Sequence, residues 1–264
     1  MDDALLQLEL HSFIARELAS ERYADPRRLS RHGYKVFSQN DEDGLIAEVF
    51  RRIGAPNRTF VEFGVGKGRE CNTLWLLAQG WRGLWIESDE ASCAAIPNRM
   101  GHLLSRGELR LANALVSAEN IDAIIGRELP GAEVDFLSID IDLNDFWVWR
   151  GIQSIRPRLV CIEYNATWRP PVSIVTPYAP TRPTTGTNYF GASLAALTVL
   201  AREKGYALVG CCLCGVNAFF VRDDLVQDRF FSPNSVEEHY EPPRYFLAQL
   251  KAGHSPGFGE LVTV

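Results

Sequence analysis

The stretch Thr59-Phe60-Val61-Glu62-Phe63-Gly64-Val65-Gly66-Lys67-Gly68 decides the fold. Thr59–Phe63 reads as a strand buried on both faces, because a strand covered by helices on both sides loses the polar alternation of a half-exposed one. Glycines at alternate positions then turn the chain sharply. Glycine admits positive φ and lets a ligand approach the backbone, and the helix that follows offers N–H groups without partners. Outward from this turn, Gly83–Glu87, Leu109–Ala112, Val134–Ile139 and Arg158–Glu163 read as four more buried strands. The segments between them are long enough for crossover helices. This alternation predicts an α/β, doubly wound domain with a mostly parallel sheet and helices on both faces. A helix over about Ala192–Lys204 and two strands, Tyr206–Cys211 and Val216–Val221, close the pattern. The short connection between those strands forces an antiparallel pair.

Upstream, Asp3–Ala19 has near-helical spacing of apolar residues, Glu21–Lys35 is a polar, basic linker, and Asn40 or Asp41 is placed to cap a second helix carrying Leu45, Ile46, Val49, Phe50 and Ile53. The expected organisation is an N-terminal helix and linker over 1–35, the main domain over 36–222, and a proline-marked, peripheral extension over 223–264.

The chain has 264 residues, 46% hydrophobic and 23% charged. That suffices for a large core without disulfides or a structural metal. With 27 basic and 33 acidic residues the net charge is −6, which argues against nucleic acid or an anionic membrane as the main partner. The first residues carry acid where a signal peptide carries base, and no stretch approaches the ~20 apolar residues of a membrane span. A cytoplasmic location is expected. The six cysteines are irregularly placed. Cys211-Cys212-Leu213-Cys214 lacks a nearby Cys/His knuckle to complete four metal ligands, so these read as buried thiols.

The turn after the first strand has Arg69 where a dinucleotide fingerprint needs glycine. An acid inside the turn's own strand repels pyrophosphate and attracts an ammonium or sulfonium. This favours a cationic amino-acid ligand and disfavours the rival reading as a nucleotide-dependent oxidoreductase. Glu87, ending the second strand, is placed to accept from both ribose hydroxyls of an adenosine. Asn113, just past the third, is either an adenine contact or a turn residue.

These residues resemble a class I S-adenosylmethionine-dependent methyltransferase. Phe37-Ser38-Gln39-Asn40-Asp41-Glu42-Asp43-Gly44, Asn72-Thr73, Gly80–Glu87, Asp140-Ile141-Asp142 and Gly215–Phe220 are similar to its FkbM-like branch, whose members are commonly associated with O-methylation of sugars, polysaccharides and secondary metabolites. The resemblance spans about residues 34–222. It implies a seven-stranded sheet of order 3-2-1-4-5-7-6 with its last strand antiparallel, and S-adenosylmethionine held by Glu62, Gly64, Gly66, Gly68, Asn72, Glu87 and Asn113. Lys67 and Leu143 depart from that branch, which commonly has an acid and a glycine there.

Acids crowd the ends of the fourth and fifth strands: Asp140, Asp142 and Asp145, then Glu163 with Asn165. In a doubly wound sheet these ends are neighbours, and ligands bind there. Two readings compete. In one, Asp140, Asp142, Glu163 and Asn165 hold a divalent ion such as Mg²⁺ that chelates a diol and lowers the pKa of the attacking hydroxyl. In the other, without a metal, a carboxylate (Asp140 or Asp142) is the general base or grips sugar hydroxyls. His32 and His102 are alternative bases. The proline-rich run from Thr167 to Pro183 is a candidate lid, with Trp168, Tyr178 and Tyr189 to stack on an acceptor and Arg169 to hold an anion. The expected function is O-methylation of a small-molecule or glycan acceptor, with the N-terminal helix as a candidate homo-oligomer contact; the alternative class is a catalytically silent binding module.

Overall fold

The computed structural model describes residues 3–181, 186–249 and 253–264. Helices α1 (Asp3–Leu18) and α2 (Glu42–Ile53) precede the sheet. Strands β1 (Thr59–Phe63), β2 (Arg82–Glu87), β3 (Leu109–Asn113), β4 (Phe136–Ile139) and β5 (Leu159–Glu163) pair in parallel. Between them lie α3 (Leu74–Ala78), α4 (Glu90–Ala95), α5 (Pro97–Ser105), α6 (Ile121–Glu128) and α7 (Asp145–Gly151). A two-residue strand, β6 (Ile174–Val175), then α8 (Leu194–Glu203), lead to β7 (Tyr206–Cys211) and β8 (Asn217–Arg222). Near the chain's end β9 (Val262–Thr263) pairs with β6 in a separate ladder.

The main sheet has seven strands in the order β3-β2-β1-β4-β5-β8-β7, with β8 antiparallel to both neighbours. Setting aside β6, which the sequence reading did not foresee, this is the expected order, and the architecture is the doubly wound α/β fold. Alternate residues of each strand enter opposite cores. Val61, Phe63, Ile86 and Ile139 meet α6, α7 and α8, while Phe60, Trp85, Phe136 and Cys161 meet α2, α3 and α5. Both faces are covered, which is why the strands read as unbroken apolar runs.

The start of α2 departs from the expected capping. Asp41 occupies the N-cap position but its side chain makes no capping bond. The acids of the first turn instead gather the preceding loop. Asp43 Oδ2 accepts the N–H groups of Val36, Phe37 and Ser38 at 2.7, 2.7 and 2.9 Å. Glu42 accepts both N–H donors of Asn40 and, from the far end of the sheet, Asn217 Nδ2 at 2.9 Å. The run Phe37–Gly44 is thus a self-bonded unit docked on β8.

The terminal segments pack on one another. Tyr23 donates to the Glu241 carboxylate, Arg28 pairs with Glu238, and Arg244 bridges Glu17 and Glu241. Phe13 of α1 meets Phe246 edge-on, while Leu5 and Leu8 are exposed. Among the described residues no helix is long and apolar enough to cross a membrane.

Candidate active site

The carboxyl ends of the parallel strands open into a cavity of about 800 Å³. On the β1–β3 side its wall is Gly64, Gly66, Ile86, Glu87, Ser88 and residues 114–116; on the β4–β5 side it is residues 140–144 and Glu163. Gln39, Asn40 and Val216 join from the α2 loop and the β7–β8 hairpin, and Tyr245 with residues 253–255 from the C-terminal segment.

The glycine turn divides in role. Gly64 (φ +82°) packs so tightly on the Asp140 carbonyl that a Cβ would collide with it. Gly66 (φ +51°) has nothing within 4 Å of the place a Cβ would take, and it faces the cavity. Gly68 packs against Trp85 and Ile96, behind the wall.

Glu62 does not reach the cavity as the sequence reading expected. It shares a strand face with Phe60, which turns it under α3. Its carboxylate accepts Asn72 N at 2.8 Å, Thr73 N at 3.1 Å and Thr73 Oγ1 at 2.5 Å. Trp85 Nε1 in turn donates to Thr73 Oγ1 at 2.8 Å. Burial pushes the Glu62 carboxyl up to about 7, against the pull of these hydrogen bonds. Asn72 is likewise turned inward, donating to Ser138 Oγ at 3.0 Å. Both residues brace the turn from behind. Asn113 donates to the carbonyls of Glu87 and Ser88 at 2.9 and 3.2 Å; it is a turn residue, and Ala114, Leu115 and Val116 take the wall position expected for it.

Glu87 is the acid on the β1–β3 side of the wall. Its Oε2 accepts the Gly66 N–H at 2.6 Å and its Oε1 the Asp89 N–H at 2.8 Å. Oε1 also accepts from Ser88 Oγ at 3.4 Å, so Oε2 is the oxygen that keeps a further lone pair for a ligand hydroxyl.

Opposite, one oxygen from each of Asp140, Asp142 and Glu163 lies within 4.8 Å of the others. β4 ends at Ile139, so strand alternation is not what brings Asp140 and Asp142 together. The left-handed backbone of Asp142 (φ +67°) does it instead. Burial raises the carboxyls of Asp140 and Glu163 well above the ordinary range, with repulsion from neighbouring acids adding to it. Burial also raises Asp142, opposed by the charge of His254. Asp145 stands behind, accepting the Ile141 N–H at 2.9 Å and pushed up to about 7 by burial. Asn165 is not part of this group, contrary to the expected ligand set. Its amide donates to the carbonyls of Asn188 and Phe190 and accepts from Thr167, so it shapes the loop after β5.

Two of the lid aromatics are engaged elsewhere. Tyr178 donates to Glu119 at 2.6 Å and Tyr189 to the Glu260 carbonyl at 2.6 Å. From that run Pro180, and beyond it Gly186, reach the cavity among the described residues; Arg182 and Pro183 lie outside them. His32 bonds the Pro26 carbonyl region and His102 sits in the last turn of α5, both off the wall. The histidine on the wall is His254, packed between the rings of Phe190 and Tyr245. The segment expected to be peripheral therefore lines the cavity. It is held there by β9, by Asn188 N to the Ser255 carbonyl at 2.9 Å and by Gly257 N to Asn188 Oδ1 at 2.7 Å. Its only sequence signal was a tyrosine and a histidine in a stretch without periodicity.

No protein-family model and no curated protein sequence matches the chain. Solved structures are similar in fold. The magnesium protoporphyrin IX methyltransferase ChlM from Synechocystis PCC 6803, with bound S-adenosylmethionine, is 12% identical at a TM-score of 0.46, covering 81% of this chain and 97% of that one. The glycopeptide N-methyltransferase MtfA, complexed with sinefungin, is 14% identical at 0.43, covering 80% and 96%. The pyocyanin biosynthetic protein PhzM is 12% identical at 0.40, and this chain spans 53% of its length.

Proposed function

We propose that the chain is an S-adenosylmethionine-dependent O-methyltransferase, akin to the FkbM-like branch, acting on a hydroxyl of a sugar, polysaccharide or other polyhydroxylated acceptor with a divalent cation such as Mg²⁺. The observation that carries this reading is one continuous cavity with an open glycine turn fastened to Glu87 on one side and three converging carboxylates on the other. The residues fit both groups. Gly66 leaves a place that a side chain would fill, and an oxygen-only trio suits a hard cation that keeps several waters.

When bound, the donor supplies a methyl already activated by its sulfonium, and the cation lowers the pKa of a chelated hydroxyl. The chain's own part is alignment and proton transfer. Glu87 grips the ribose hydroxyls while Gly66 presents bare backbone to the donor. Asp140, Asp142 and Glu163 hold the acceptor end. The hydroxyl proton passes to a ring nitrogen of His254, which the rings of Phe190 and Tyr245 hold on the cavity wall. Tyr245 shields the reacting oxygen from water.

The test is methyl transfer from isotopically labelled donor to a panel of sugars and polyols, with and without EDTA, alongside calorimetry with S-adenosylhomocysteine. Chelator-sensitive labelling of a hydroxyl is expected. Failure to bind S-adenosylhomocysteine sinks the reading, and binding without transfer to any acceptor favours the silent module.

A further inference from the structure

We propose that Asp41, Cys212 and Cys214 form a second metal site that takes zinc, separate from the acid trio and independent of the function proposed above. One donor atom from each lies within 4.8 Å of the others. The two cysteines flank Leu213 at the tip of the β7–β8 hairpin, and Asp41 reaches them from the start of α2, across 172 positions of sequence to Leu213. Sequence spacing alone gave no partner for these thiols; the tertiary fold supplies Asp41.

Three features of the local geometry support a cation. Cys212 Sγ accepts the N–H groups of Val216 at 3.2 Å and Asn217 at 2.9 Å, donors that favour negative charge on the sulfur. Cys214 Sγ lies 3.3 Å from it, and both thiols are buried. Asp41 Oδ2 accepts the Leu213 N–H at 3.3 Å, while its Oδ1 is buried with no hydrogen-bond partner. A buried carboxyl oxygen without a partner is destabilising, and a cation is the partner that two sulfurs and this oxygen share. Two thiolates with one carboxylate form a softer set than the oxygen-only trio, and this set selects zinc over Mg²⁺.

Binding breaks two S–H bonds and forms two Zn–S bonds, releasing two protons to solvent, with water completing the tetrahedron. No oxidant is involved. The consequence reaches the cavity, because Asn40 beside Asp41 and Val216 beyond Cys214 both stand on its wall. The metal staples the α2 loop to the hairpin and fixes that part of the wall.

The experiment uses the full chain, loaded with zinc in excess Mg²⁺, gel-filtered and assayed by elemental analysis. A parallel sample loaded with cobalt(II) is read for the thiolate-to-metal charge-transfer band. Equimolar zinc and the band are expected in the wild type and in Asp142→Asn, and both are lost in Cys212→Ser and Cys214→Ser. Circular dichroism of the serine variants confirms that they fold. Because the cobalt reading is made on the wild type, it decides the matter even if the variants do not. No zinc and no band in the wild type overturns the proposal. So does zinc that survives both serine substitutions, zinc lost in Asp142→Asn, or a Cys212–Cys214 disulfide in protein purified without reductant. None of these readings requires methyl transfer, so the site stands or falls separately from the enzyme reading.

Discussion

The backbone N–H of Gly66 meets Glu87 Oε2 at 2.6 Å, fastening the turn after β1 to the last residue of β2. One carboxylate therefore shapes the glycine turn and faces the ligand cavity. Glu87→Gln keeps an acceptor oxygen for Gly66 but removes the charge. A charge-assisted bond is worth about 1.5–3 kcal/mol, so S-adenosylhomocysteine should bind at least ~10-fold more weakly with little change in melting temperature. Calorimetry checks this, and an unchanged Kd removes Glu87 from the donor site.

The two cavity glycines should separate stability from binding. Gly66→Ala places a methyl in open cavity at positive φ, costing about 1–2 kcal/mol of stability. Its larger effect is expected on donor affinity. Gly64→Ala drives a methyl into the Asp140 carbonyl and should prevent folding or lower the melting temperature severely. Equal losses of stability in the two variants would contradict the assigned roles.

Buried acids give the chain a pH signature. Asp145 is raised from 3.8 to about 7 and Glu62 from 4.5 to about 7, in each case first by burial. Over these intervals the folded chain holds protons that the unfolded chain has released. The associated stabilisation is complete below the lower value and is lost as pH climbs through about 7. Urea titrations of metal-free protein should show Asp145→Asn gaining on the wild type between about pH 4 and pH 7. A constant difference across that range would mean Asp145 is ionised throughout.

The acid trio and Asn165 make opposite predictions. Asp142→Asn should weaken cation activation sharply while leaving donor binding intact. Asn165→Ala breaks the bonds that hold Asn188, Phe190 and Thr167 and should cost about 1–3 kcal/mol of stability. Its Mg²⁺ activation curve should not move. A shifted curve in Asn165→Ala would restore Asn165 as a ligand.

His254→Gln should lower kcat by roughly 10²-fold, the low end for losing a general base. S-adenosylhomocysteine affinity should be unchanged, because the charge of His254 acts on Asp142, in the acid trio. Steady-state kinetics decide it: kcat falls while donor affinity holds, and an unchanged kcat would exclude proton transfer through this ring.

The parallel strands were legible because each is covered on both faces and so reads as an unbroken apolar run, and the closing hairpin was legible from its short connection. The direction of Glu62 was not. A run apolar on both faces does not say which core its one acid enters, and only the register of Glu62 with Trp85 and Ser138 places it under α3. Asn165 read as a ligand because amide oxygens bind hard cations, yet the loop carbonyls around it are set by contacts more than twenty residues away. His254 was missed for the same reason. The β6–β9 ladder that carries its segment joins two-residue strands with no periodicity to detect.

The two halves of the cavity differ in how they are encoded. The Glu87 half rests on consecutive strands of one rigid sheet, whereas the half around Tyr245 and His254 hangs on a strip of chain tied down by the small β6–β9 ladder and a few loop bonds. Substitutions in that strip can reshape one side of the cavity and leave the Glu87 side untouched, so diversification among proteins built this way should concentrate after β8, with the β1–β3 turn region held fixed.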